Sequence, residues 1–247
     1  MTSLMRDFAT LPRLYIDADF AEGGAVNLPQ SQAHYLGSVL RLKVGAGVRV
    51  FNGRAGEWLA EITQIAKREA VLTLKTCLRA QASAPDIWLL FAPVKKARTD
   101  FIIEKATELG AARIMPVITA RTQFSKIRMD RMQAHIIEAA EQTERMDLPR
   151  ADAPVKLSAL LEGWDKTRTL IFADEAGDAV PAAQGLADCP APCAILIGPE
   201  GGFSPTERER LRAQSFVTPI SLGPRILRAD TAALAALSLW QSMNGDW

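Results

Sequence analysis

Apolar and polar residues alternate over short stretches in the first third of the chain. Leu14-Tyr15-Ile16 is a brief apolar run. Gly47-Val48-Arg49-Val50-Phe51 alternates, breaks at Asn52-Gly53-Arg54-Ala55-Gly56 and resumes as Trp58-Leu59-Ala60-Glu61-Ile62. A period of two with Asn-Gly between the runs predicts a β-hairpin. Residues 70–74 read as a further strand, and Ala33, Leu36, Val39 and Leu40 have helical spacing over 31–40. Short strands, glycine turns and one helix predict a small barrel.

After the small, polar stretch Ala80-Gln-Ala-Ser-Ala-Pro85 the rhythm changes. Strands are expected at 87–94, 113–118, 170–173, 193–197 and 220–222. Helices are expected at 99–109, ended by Gly110, at 129–145, from Pro205 onward and up to about residue 243. Strands alternating with helices predict an α/β fold with a mostly parallel, buried sheet. Two domains follow, 1–80 and 81–247.

Two strand ends carry candidate chemistry. In Ile197-Gly198-Pro199-Glu200-Gly201-Gly202-Phe203-Ser204-Pro205 a strand meets a three-glycine loop and then a helix. Ser204, Pro205 and Glu207 make a capping box with Pro at the first helical position, which accounts for those three residues without any function. The glycines remain, at the place where α/β sheets bind ligands. They follow neither the Walker nor the dinucleotide pattern. The second end, Leu222-Gly223-Pro224-Arg225-Ile226-Leu227-Arg228-Ala229-Asp230-Thr231-Ala232-Ala233, leads into a helix of small residues that Asp230 or Thr231 can cap. Arg225 and Arg228 there oppose the helix dipole, as do Lys95, Lys96 and Arg98 at an earlier helix start. For Arg225 and Arg228 either an anion offsets the charge or an ion pair does, Arg228–Asp230 or Arg225–Glu200. For Lys95, Lys96 and Arg98 the choice is between a phosphate and a solvated charge run.

Composition adds little. Of 247 residues 48% are hydrophobic and 23% charged, and the net charge is +1. Residues 1–150 carry 21 Lys and Arg against 16 Asp and Glu, while the remainder carries 8 against 12, a basic first part that suits a polyanion. Neither a membrane span nor a signal peptide is expected, so the expected location is the cytoplasm. Cys77, Cys189 and Cys193 form neither a disulfide framework nor a metal knuckle, and no metal is expected.

These residues together resemble a known family. Lys95-Lys96, Glu104-Lys105-Ala106-Thr107-Glu108-Leu109-Gly110, Pro116, Arg121, Glu141-Gln142 and the two glycine-bearing strand ends stand in the order found in 16S ribosomal RNA uracil-N3 methyltransferases of the knotted SPOUT superfamily. Arg13-x-Tyr15 and His34-x-x-x-Ser-Val-Leu-Arg41-x-Lys43-x-Gly45 are similar to its N-terminal part. Two positions depart from the pattern. Asp230 stands where the family usually has Glu, and Thr143-Glu144-Arg145 where it commonly has Ser-Gly-Arg.

The resemblance implies a PUA-like β-barrel for RNA before a trefoil-knotted methyltransferase domain that binds S-adenosylmethionine and dimerises with itself. The implied substrate is a uridine, position 1498, in the 16S RNA of the small ribosomal subunit. The implied cofactor residues are Ala173, Ile197, Gly198, Glu200, Gly201, Gly202, Leu222, Gly223, Ile226, Leu227, Arg228, Thr231 and Ala232. Arg13, His34, Arg41, Lys95, Lys96, Arg98, Arg121 and Arg145 are the RNA candidates. Methylating uracil N3 requires an unpaired or flipped base and loss of the N3 proton. Asp230 or Glu200 can accept that proton, and Arg228 or Arg225 can stabilise charge on the uracil oxygens. Two other classes stay open: a non-catalytic RNA-binding or ribosome-assembly protein of the same fold, and an enzyme of nucleotide phosphates.

Overall fold

The computed structural model describes residues 8–175 and 178–247. The chain divides into two compact units, 1–83 together with 140–147, and 84–139 together with 148–247. The division at 83/84 lies three residues beyond the expected boundary. The eight residues 140–147, expected in the second domain, belong to the first unit.

The first unit holds β1 (Arg13–Tyr15), β2 (Ala25–Leu28), helix α1 (Gln30–His34) continued by a π-helical turn (Tyr35–Val39), β3 (Gly47–Phe51), β4 (Glu57–Ile65) and β5 (Ala70–Arg79). Its sheet runs β1-β3-β4-β5-β2, with β1 parallel to β3 and the other pairs antiparallel. The β3–β4 hairpin falls where the Asn-Gly turn predicts it. Asn52 Oδ1 accepts from the backbone of Arg54 and Ala55 and holds the turn. Three register shifts between β4 and β5 coil that pair. One face encloses a core of Leu14, Leu36, Val48, Val50, Ile62 and Leu72.

The opposite face of β3 is built by ion pairs. Glu57 is fully buried and meets Arg13 at 2.5 Å and Arg79 at 2.8 Å. Arg13 also donates to the carbonyls of Ala140 and Arg145, and its guanidinium lies 3.8 Å from the centre of the Phe51 ring. Glu141 accepts from the backbone N–H of Tyr15, and Glu144 accepts from Arg49. The motif residues Arg13, Tyr15 and Glu141 therefore knit residues 140–147 to the strands. Arg13 is thereby withdrawn from the RNA candidates, because its donors are spent inside the protein. Arg145 is half-buried with its guanidinium on Asp147, so it presents no free cation either.

The second unit carries β6 (Ile87–Phe91), α2 (Lys96–Glu108), β7 (Arg113–Ile118), α3 (Met129–Gln142, whose last turn belongs to the first unit), β8 (Arg150–Ala151), β9 (Val155–Lys156), α4 (Leu157–Glu162), β10 (Thr169–Ala173), β11 (Val180–Pro181), α5 (Ala182–Ala187), β12 (Cys193–Ile197), α6 (Pro205–Arg212), β13 (Val217–Ser221) and α7 (Ala229–Asn244). Its sheet is parallel throughout, in the order β11-β13-β10-β12-β6-β7-β8, with β9 on β7. Both faces are covered, and the strand residues sort by parity. Ile87, Leu89, Phe91, Ile171, Ile195 and Ile197 meet α2, α3, α5 and α7. Leu90, Leu170, Phe172, Ala194 and Leu196 meet α4, α6 and Trp164. Double burial explains why β12 is an unbroken apolar run. The short strands β8, β9 and β11 and the helices α4 and α5 lie outside the sequence expectation.

Candidate cofactor cleft and RNA-facing residues

Strands β13, β10 and β12 are neighbours, and their C-terminal ends open into one cleft of about 650 Å3. Ala173 closes β10, Ile197 and Gly198 close β12, and Ser221 and Leu222 close β13. The segment Gly223-Pro224-Arg225-Ile226-Leu227 and the first turn of α7, through Ala229 and Ala232, complete the wall. Of the thirteen cofactor candidates, Ala173, Ile197, Gly198, Leu222, Gly223, Ile226, Leu227 and Ala232 line the cleft. Glu200, Gly201, Gly202, Arg228 and Thr231 stand outside its lining.

The glycines differ in purpose. A Cβ on Gly198 would lie 2.7 Å from the Phe203 ring, so that residue makes room for packing. Gly202 has φ +65, and a Cβ there would fall on the Glu175 carboxylate. Gly223 has φ +105 with open space where a Cβ would point, on the cleft wall. Gly201 has neither need. Its carbonyl instead accepts from Arg121 at 2.7 Å.

The capping box at α6 forms as expected, with Glu207 N–H on Ser204 Oγ and Ser204 N–H on the Glu207 carboxylate. Glu207 also accepts from the N–H of Ala120, so the loop after β12 is tied twice to the segment after β7. Asp174, just past β10, is buried and meets Arg208 and Arg212 of α6 at 3.0 and 2.6 Å. Arg212 also holds Asp178, and that hydrogen bond keeps the Asp178 carboxyl below the usual carboxylate range.

The start of α7 corrects two expectations. Its N-cap is Arg228, with no side-chain cap, and Asp230 lies one residue inside the helix. Asp230 is held by Arg98 at 3.2 Å rather than by Arg228. Helix α7 begins at Ala229, too early for Asp230 or Thr231 to cap it. Glu200, Arg225 and Arg228 are exposed and have no ion pair among the described residues, so neither Arg228–Asp230 nor Arg225–Glu200 forms.

The RNA candidates scatter. Lys95 is the N-cap of α2 and Lys96 its first residue, both exposed, with no acid in that turn. Arg98 serves Asp230 and Arg121 serves Gly201. His34 and Arg41 are exposed in the first unit.

A family model described as RNA methyltransferase domain matches residues 81–241, and one described as RNA methyltransferase PUA domain matches 28–75. The ribosomal RNA small subunit methyltransferase E of Rickettsia conorii is 34% identical over 231 residues, covering 92% of this chain and 93% of that protein. The chain belongs to the ribosomal RNA small subunit methyltransferase E family. Two solved structures are similar over almost the whole chain. The family's Neisseria gonorrhoeae protein bound to S-adenosyl methionine has a TM-score of 0.85 at 27% identity, covering 96% of this chain and 99% of that one. A Legionella pneumophila methyltransferase with bound cofactor SAM has a TM-score of 0.83 at 31% identity, with the same coverage.

Within this family's fold, sequence reasoning missed Asp174, Glu175, Pro199, Phe203, Ser221, Pro224 and Ala229 in the lining. Six of these adjoin residues already singled out, and Glu175 is the exception. The ion pairs of Asp174 gave no signal, since its partners lie 34 and 38 positions away.

Proposed function

We propose that this protein transfers the methyl group of S-adenosylmethionine to N3 of one uridine, that at position 1498, in 16S ribosomal RNA of the small subunit, acting as a cytoplasmic homodimer. The cleft at the ends of β10, β12 and β13 carries this reading, together with the two related structures that hold the cofactor. Its wall fits the group. Glycine and alanine bring backbone to the surface, Ile197, Leu222 and Leu227 give apolar contact, and the Glu175 carboxylate offers a partner for positive charge. When bound, the cofactor supplies an electrophilic methyl on a sulfonium.

The protein's task is alignment and proton removal, and alignment alone supplies on the order of 7–11 kcal/mol. Arg225 and Arg228, exposed beside the mouth, are assigned to charge developing on the uracil oxygens. Asp230 is assigned the N3 proton over Glu200, because Arg98 fixes its carboxylate. His34, Arg41, Lys95 and Lys96 are assigned to phosphates. The strand order supports the trefoil knot that the family resemblance implies. Helix α7 packs on β6 and β12 although it follows β13, so residues 222–228 must cross the ends of β10 and β12.

The test is calorimetry with S-adenosylmethionine, followed by methyl transfer to small subunits from a strain lacking the gene. Cofactor uptake and one uridine gaining a methyl mass are expected. RNA binding without cofactor uptake would replace the enzyme reading by a binding or assembly factor. Competition by ATP would replace it by a nucleotide enzyme.

A further inference from the structure

A second cleft, of about 700 Å3, opens between the start of α2, the segment after β7 and the start of α3. Its floor is apolar, from Val94, Ile103, Ile127 and Met132. Phe124 stands at its edge, 39% exposed. The rim carries four cations. Arg131 is neutralised by Asp100 at 2.7 Å and Arg128 by Asp130 at 2.5 Å. Lys96 and Lys126 are exposed and have no ion pair among the described residues. Four cations against two carboxylates leave the rim two charges positive.

We propose that this cleft receives an unpaired nucleotide of the substrate RNA, adjacent to the one whose base enters the cofactor cleft. Its base lies against Phe124 and its phosphates on Lys96 and Lys126. The inference rests on the RNA methyltransferase reading and adds a subsite to it. An aromatic edge, an apolar floor and unpaired lysines are the combination that binds single-stranded nucleic acid, with stacking for the base and charge for the backbone. A free phosphate would leave the floor unused, and an apolar partner would bury the two lysines unpaired.

Position supports the same occupant. The second cleft lies over the ends of β6 and β7, and the first over β12, β10 and β13 of the same sheet. Ala92 N–H donates to Ile197 O between them, and Arg98 of α2 meets Asp230 of α7 on their shared border. A strand with one base flipped into the first cleft thus passes the second within the same sheet edge.

The experiment uses the full chain and a labelled, single-stranded, uridine-centred oligoribonucleotide, with affinity read by anisotropy in the absence of cofactor. Phe124→Ala is expected to weaken binding about tenfold, while Phe124→Trp holds it. Lys126→Ala is expected to lower the salt slope by about 0.7. S-adenosylmethionine affinity and sedimentation are expected to stay at wild-type values in all three. Unchanged RNA affinity in Phe124→Ala and Lys126→Ala, with wild type methylating small subunits, overturns the subsite and leaves the enzyme reading intact. Weakened RNA binding with a wild type that transfers no methyl supports the subsite and removes the enzyme reading. A change of sedimentation in Phe124→Ala overturns the subsite by making the cleft a contact between subunits.

Discussion

Glu144 has φ +60, a left-handed conformation that costs a non-glycine residue about 1 kcal/mol or more. It lies just past the end of α3, where the resemblance implies the glycine of a Ser-Gly-Arg run. The carboxylate offsets the strain by meeting Arg49 at 2.8 Å and Arg79 at 3.5 Å. A departure from the motif is thus a trade of backbone ease for an ion pair. Glu144→Ala loses the pairs and keeps the strain, whereas Glu144→Gly loses the pairs and the strain. Urea unfolding is expected to rank wild type above Glu144→Gly and Glu144→Gly above Glu144→Ala, the last two separated by ~1 kcal/mol. The hydrogen bond from Arg49 holds the Glu144 carboxyl below its ordinary value. Its contribution is therefore present above the ordinary carboxylate range and is lost as pH falls through the lowered value. The stability gap between wild type and Glu144→Gln should shrink on acidification, and a gap independent of pH would exclude the ion pair as its source.

Among the loop glycines, Gly223 combines a left-handed backbone with a place on the cleft wall. Gly223 sits at φ +105 on the wall, while Gly201 has ordinary backbone geometry and a Cβ would lie 3.6 Å from Arg121. Gly223→Ala is expected to lower S-adenosylmethionine affinity at least tenfold by straining the loop and projecting a methyl from it. Gly201→Ala is expected to leave it unchanged in calorimetry. Equal losses in both would mean that Gly201 also meets the cofactor. Strand β12, the capping box and the Asn52 turn were legible in the sequence because each is decided by neighbours along the chain. Both strand ends were legible too, since glycine after a buried strand is a local signal. The fate of the charges was not. Arg13 depends on Glu57 and on carbonyls 127 and 132 positions away, and Asp230 on Arg98, 132 positions away. Strands β8, β9 and β11 are two residues each, too short for any period to show.

For the molecule as a whole, the proposed dimer changes which residues make one active site. Leu237 and Trp240 of α7 are fully buried in the second unit's core. What α7 leaves outside is Leu239 and Met243, one turn apart and 38% and 41% exposed, with Trp247 beyond the helix at 65%. An exposed apolar stripe of this kind suits the self-complementary patch of a two-fold dimer. Leu239→Glu combined with Met243→Glu should then convert a dimer to a monomer in sedimentation. Lys95 and Lys96 can serve the cleft of their own chain or that of the partner. Mixing separates the cases once subunit exchange has been shown. An Arg228→Ala chain is intact at Lys95 and Lys96, and a Lys95→Ala/Lys96→Ala chain is intact at its cleft. Random pairing makes half the dimers mixed, and in each mixed dimer a shared arrangement restores one site of two, or about a quarter of wild-type activity. An arrangement within one chain restores none, so methyl transfer by the mixture at the level of its inactive components would place each cleft and its lysines on the same subunit.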